Sequence, residues 1–247
     1  MGNYNIECVS SYKYLGVHFT VSGIFNIAQQ ELYKKGLKAY FKLKKVTESL
    51  CSASTMFHLF DSTVKPAILY GSEIWGMPKN LDVRKFKNDL DLEQKLINYY
   101  KCEDLHTMVC RQILGVHKKC SKMTIYGETG RWPLYIDIIT NMVKYYNRIL
   151  EKESSKLLKE SLLSNKILSD KGKTNWYSCI VNIIKHIGID VNYGFKINVK
   201  KVKTKLKARF DIFWKKQVCN EIPFPRENGG KLRAYSNSKL YEIKNHT

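Results

Sequence analysis

The sequence predicts a mainly α-helical protein that opens with a short β-hairpin. Apolar residues recur at helical spacing in long segments from residue 28 onward. Residues 9–24, VSSYKYLGVHFTVSGI, carry instead the Val, Tyr and Phe enrichment of strands. Glycine and proline separate the helical segments at intervals, as loop punctuation does.

A strand over 12–20 and a turn, with Ser-Gly near the end, make one hairpin. From Ala28 the period changes, and Ala28, Leu32, Gly36, Tyr40, Leu43, Val46 and Leu50 share one helical face. Lys34, Lys35, Lys38, Lys42 and Lys45 share the opposite face within an arc of about 100°. A second helix over 54–65 turns Met56, Phe57, Leu59, Phe60 and Val64 inward, and Pro66 kinks it or starts a new one. Gly76, Pro78 and Asn80 then close a first compact region.

Residues 79–95 mix charges of both signs, as an exposed connection or a solvated helix does. A helix is expected over 92–116, a loop around Gly127 to Pro133, and further helices over 134–151, 154–168 and 174–188. A last long helix covers 197–219, with Val199, Val202, Leu206, Phe210, Phe213, Trp214 and Val218 inside. The organisation is therefore a hairpin region (1–27), a first set of helices (28–78), a charged connection (79–98) and a C-terminal helical region (99–247) ending in a disordered tail.

The chain has 247 residues, 44% of them hydrophobic, enough for one large domain or two small ones with a real core. Forty-two basic against 22 acidic residues give +20, a charge that calls for a polyanionic partner. RNA or DNA backbone is the first candidate. No apolar run approaches the roughly 20 residues of a spanning helix, which argues against a membrane. Seven irregularly spaced cysteines without a secretion signal read as reduced thiols in a cytoplasmic or nuclear protein.

Several chemistries find weak support. Cys102, His106, Cys110, His117 and Cys120 include zinc-ligating types, but the four-residue spacing is also that of buried cysteines on a helix, and no Cys-x-x-Cys knuckle occurs. Asp89 and Asp91 lie in a polar segment, and Glu103-Asp104 reads as the outer face of a helix, so neither pair suits two-metal catalysis. There is no G-x-S-x-G elbow and no G-x-x-x-x-G-K-[ST] loop. In GETGRW, Arg131 is either a phosphate contact or part of a turn before Pro133. No cofactor and no metal site are expected.

The lysine face of residues 34–45 carries more weight, because it contains no acidic residue. Such a face fits sequence-blind contacts to a nucleic-acid backbone, and Phe41 beside it suits a base or an apolar partner. A second basic cluster, 196–216, surrounds its helix and reads largely as a solvated face.

Four segments in the same order resemble the region after the polymerase palm in non-LTR retrotransposon reverse transcriptases: SYKYLGVHFTVSG, LFDSTVKPAILYGSEIWG, CRQILGVHKKCSKMTIYGETGRWPL and GGKLRAYSNSKL. The resemblance covers about residues 10–240. It implies that Tyr14, Leu15 and Gly16 belong to a strand at the palm–thumb junction. The lysine-rich helix would then be the thumb's contact helix for a template–primer duplex. The catalytic aspartate pair and its Mg²⁺ ions would lie upstream of Tyr12. The chain is thus expected to be a truncated, non-catalytic fragment that binds nucleic acid non-specifically.

Tyr70, Gly71, Glu73 and Trp75 take structural roles in this reading. Glu73 is expected to be a buried lone carboxylate, hydrogen-bonded to a neighbouring helix or a basic side chain. The rival reading is a helical protein-interaction module with Trp132, Trp176, Trp214 and exposed aromatics as anchors.

Overall fold

The computed structural model describes residues 8–47, 51–78, 91–151 and 156–221. Leu50, most of the charged connection and the expected tail from residue 222 lie outside the described residues.

The segment read as one strand over 12–20 is itself the hairpin. Strands β1 (Ser11–Tyr14) and β2 (Val17–Thr20) pair antiparallel, with Tyr14 opposite Val17. The turn is Leu15-Gly16, at φ 46° and 84°. Two successive positive φ values match the twist of a tight hairpin, and they place the turn earlier than Ser22-Gly23. A lone two-stranded hairpin is at best marginally stable in water. Here Val17 is buried and the turn is fastened to a segment 55 residues away, described below.

Helix α1 (Asn26–Thr47) buries Ala28, Gln29, Leu32, Gly36 and Tyr40. Gly36 marks the closest approach to its neighbours. A Cβ there would fall 2.0 Å from Ile68 Cγ2 and 2.8 Å from Leu105 Cδ2. Val46, expected on the inner face, is 82% exposed, because the cover over that face ends near the half-buried Leu43.

Ser52 caps helix α2 (Ala53–Leu59), accepting from the Thr55 N–H at 3.2 Å. One π-helical turn (Phe60–Val64) follows, then the short helices α3 (Lys65–Ile68) and α4 (Ser72–Trp75). Pro66 explains the wide turn. It has no N–H, and its ring would press on the Ser62 carbonyl in a regular helix. The Lys65 N–H instead reaches back to the Phe60 carbonyl.

The expected helix over 92–116 is two helices, α5 (Asp91–Tyr99) and α6 (Lys101–Leu114). Leu92, Leu96 and Ile97 of α5 are buried, so this end of the stretch read as a charged connection is core. The break falls at Tyr100, whose backbone is extended. Its hydroxyl donates to the Gly76 carbonyl at 2.7 Å, and Gln29 Oε1 of α1 accepts the Lys101 N–H at 3.1 Å. A side chain from a distant helix thus satisfies an N–H that local sequence would have capped.

Helix α7 (Lys122–Thr129) runs through Gly127, which was expected in a loop. The Trp214 ring packs on that glycine, so closely that a Cβ would meet it at 2.6 Å. Helices α8 (Tyr135–Glu151), α9 (Lys156–Asp170), α10 (Trp176–His186) and α11 (Val199–Glu221) follow the sequence periodicity closely. Asn175 and Ser178 form a reciprocal capping box on α10. Helix α8 is central and packs on α4, α9, α10 and α11. A single apolar core runs from Val17 to Phe213, so the helices before residue 78 and those after residue 99 share one interior.

Replacing Gly36 by Ala tests the close packing of α1. Helix propensity alone favours Ala by about 1 kcal/mol. Overpacking against Ile68 and Leu105 costs about 1–3 kcal/mol. Urea unfolding of Gly36→Ala is expected to give a lower midpoint than wild type; a higher midpoint would mean that propensity wins.

Candidate nucleic-acid interface

The expected lysine face forms on α1 as one continuous exposed surface. Lys34, Lys35, Lys38, Lys42 and Lys45 are all exposed and lie opposite the buried face of Leu32, Gly36 and Tyr40. From Lys34 to Lys45 the row spans about 16 Å along the helix. Lys34 pairs with Glu31 at 3.0 Å, and the hydrogen bond and charge of Lys34 hold the Glu31 carboxyl below its ordinary range. Lys35, Lys38, Lys42 and Lys45 make no ion pair among the described residues. Phe41, 49% exposed, stands beside this row against the buried Tyr40 ring.

The two family-like motifs near the start of the chain meet in space. The Tyr70 hydroxyl donates to the Leu15 carbonyl at 2.9 Å, and the Tyr70 ring lies against Gly16. Gly71 is left-handed at φ 67°, and a Cβ there would lie 2.9 Å from Val17. Only glycine satisfies both that φ and that contact without strain. The Trp75 indole is buried and donates to the Tyr70 carbonyl at 2.7 Å. Tyr14 itself is exposed. The hairpin is therefore clamped to the start of α4, and β2 also packs on α1.

Glu73 does not fill the role expected of it. It is half-buried, and its carboxylate makes no hydrogen bond among the described residues. Its main-chain carbonyl accepts from the Trp176 indole at 2.8 Å, and its side chain faces a recess lined by Asn141, Lys144 and Arg148. The buried carboxylate is Glu103, which sequence placed on an outer face. Glu103 has no exposed surface. One oxygen accepts from the Tyr126 hydroxyl at 2.9 Å, the other from the Tyr135 N–H at 2.8 Å. Its neighbour Asp104 is the exposed one, bonded to Lys122 at 2.9 Å.

Arg131 stands apart from the lysine row. Its guanidinium forms a two-pronged pair with Asp61 of the π-helical turn. Its Nε–H donates to His106 Nε2 at 3.0 Å, and the group lies over Phe57 and Phe60. These bonds use three of its five N–H groups. The residue expected as a phosphate contact thus serves as an internal clamp, which suits the alternative reading of GETGRW as structure.

Cys102, His106 and Cys110 lie on the buried side of α6, with His106 stacked on Phe60 at 5.5 Å. Among the described residues, no group of three or more His, Cys, Asp or Glu side chains could hold a metal ion. No helix among them is long and apolar enough to cross a membrane. The three tryptophans proposed as partner anchors face inward in whole or in part. The Trp176 and Trp214 indoles donate to the Glu73 and Met123 carbonyls, and Trp132 packs on Phe210.

Sequence reasoning missed one basic constellation. Lys65 of α3 and Lys203 of α11 converge on Asp137 of α8, at 2.6 and 3.1 Å. Lys207 lies 4.8 Å over the Trp132 ring. Their sequence separation hides this meeting. The only hint is that Lys203 and Lys207 are four apart on a helix.

Comparison with known proteins gives a partial match. No protein-family model and no solved structure matches the chain. An uncharacterized transposon-derived protein of Caenorhabditis elegans is 30% identical over 95 residues. The match covers 37% of this chain and 33% of that protein, so the chain spans about a third of the relative's length.

Two measurements test the polar interior. Glu103→Ala leaves two buried donors without an acceptor, each costing about 1–3 kcal/mol, so urea unfolding is expected to lose about 2–6 kcal/mol. Asp137 supplies a pH test. Burial opposes its ionisation, but the hydrogen bond and charge of Lys65, then Lys203, outweigh burial and hold its carboxyl below the ordinary range. Its contribution is therefore fully present above the unfolded value of about 3.9 and is lost as pH falls through the lower folded value. The stability difference between wild type and Asp137→Asn is expected to shrink as pH drops below about 4. A difference that stays constant through that range would exclude the linkage.

Proposed function

We propose that this chain derives from a transposable element and corresponds to the thumb and following region of a non-LTR retrotransposon reverse transcriptase. Its task is to grip RNA or DNA through the phosphate backbone. The observation that carries this reading is the one-sided row of exposed lysines on α1, four of them without an ion pair among the described residues, on a helix held tightly to the core. Lysines whose charge is not spent on carboxylates are available to displace counterions from a polyanion.

Two further facts support it. The net charge is +20, and the relative from Caenorhabditis elegans is transposon-derived by description. The contacts would position a strand or duplex without reading its sequence. The segments that carry the resemblance follow the palm in that family, so the part played by this chain is binding and not nucleotide addition.

Gel-shift titrations at rising salt test the proposal. The purified chain is expected to bind unrelated sequences with similar affinity, and the affinity should fall steeply with salt. Combined Lys35→Glu, Lys38→Glu and Lys42→Glu is expected to flatten the slope of log affinity against log salt by about 2–3, since each phosphate no longer neutralised removes about 0.9. An unchanged slope in that variant, or salt-independent binding by the wild type, would remove α1 from the interface. Incubation of the purified chain with a primed template, Mg²⁺ and nucleotides is expected to yield no extended product.

A further inference from the structure

A second cationic feature lies away from the α1 row, in a recess of about 240 Å³ between α3, the α7–α8 loop and α11. Four cationic side chains from these separate elements border it: Lys65, Arg131, Lys203 and Lys207. Two carboxylates, Asp61 and Asp137, share the wall, so the recess carries a formal surplus of two positive charges. A concave site with one sign in excess concentrates counterions of the other sign.

The hydrogen bonds say which cations are available. Arg131 is committed to Asp61 and His106. Lys65 and Lys203 each give one bond to Asp137, and an ammonium has three N–H groups. Lys207 makes no ion pair among the described residues; it lies over the Trp132 ring, and the Asp211 carboxylate one helical turn further on acts on it through charge alone. Three ammonium groups with free donors therefore border one opening, beside an indole.

We propose that this recess binds the terminal phosphate monoester of a nucleotide, either free or at the end of a nucleic-acid strand. A phosphate monoester carries about −1.5 to −2 at neutral pH, which matches the surplus, whereas an internal phosphodiester carries −1. Pockets that enclose drug-sized ligands measure about 300–1,000 Å³, so this recess takes the phosphate and part of the attached sugar. Trp132 offers an apolar wall to that sugar. The site differs from the α1 row in selecting a chain end over a chain interior.

Binding of the full chain to matched probe pairs tests this: adenosine 5′-monophosphate against adenosine, and one oligonucleotide with a 5′-phosphate against its 5′-hydroxyl form. The phosphorylated member is expected to bind about tenfold more tightly in at least one pair, through charge-assisted hydrogen bonds. The pair that shows the preference identifies the source, free nucleotide or strand end. Lys207→Gln is expected to abolish the preference while leaving the melting temperature near wild type, since Lys207 is in no ion pair among the described residues. Lys203→Gln is the second variant, expected to weaken the preference.

The α1 charge-reversal variant is expected to weaken both oligonucleotides equally and to keep their ratio. If no oligonucleotide binds and the α1 reading fails, the nucleotide pair still decides this inference. Equal binding within both pairs, or a preference that survives Lys207→Gln, overturns it.

Discussion

One buried carboxylate organises the middle of this molecule. Glu103 sits on α6 with no exposed surface and accepts one bond from α7 and one from the first turn of α8. A carboxylate in that position is tolerable only while both oxygens are satisfied, so three helices must keep one relative placement. His106, one turn further along α6, extends the constraint through Arg131 to Asp61 in the π-helical turn. The α2–α3 arm is thereby tied to the α7–α8 loop. Helix α1 packs on that same arm and on α6, so the lysine row is fixed by a polar frame as well as an apolar one.

The charge of the chain is distributed unevenly, and the structure separates cations that are neighbours in sequence. Along α11, Lys203 pairs with Asp137, Lys205 donates to the Gly188 carbonyl and Arg209 pairs with the buried Glu93 at 2.8 Å. These three cations of that dense basic segment are therefore tied to neighbouring elements. The α1 lysines have similar local density, but the Lys34–Glu31 pair accounts for all their ion pairing among the described residues. Spacing distinguishes the two groups. Cations that encircle a helix meet neighbouring elements on several sides, whereas cations confined to one arc can leave the opposite arc to the core.

That contrast explains what was legible in the sequence. Helix α1, the α8–α11 series and the hairpin were readable, because each carries a strong period or a strand-like composition. The α5–α6 break was not. Its cause lies in Gln29 and Gly76, which touch the break from other elements and leave no local signal. Glu103 and Glu73 exchanged roles for a related reason. A glutamate beside Asp104 looks solvated by type, and one between apolar neighbours looks buried. Only the rotation of α6 against α7 and α8 turns the first inward. Arg131 was visible as a special residue in its turn, but its partner Asp61 lies 70 positions away.

The α1 lysines differ from the rest of the chain's positive charge in how much ordering a bound phosphate backbone would require of them. A mobile row of lysines would lose much side-chain and backbone freedom on meeting a phosphate backbone, and that loss would offset the counterions released. On α1 the backbone cost has already been met during folding: Gly36 seats the helix against Ile68 and Leu105, and Gln29 bonds to the start of α6. What remains to be ordered is the lysine side chains alone. A rigid row about 16 Å long would present several charges at helical intervals to a lattice of phosphates, and tolerance of sequence would follow because no base edge is involved. In the proposed role, rigidity of the helix, more than the number of lysines, would convert an ordinary basic surface into a grip.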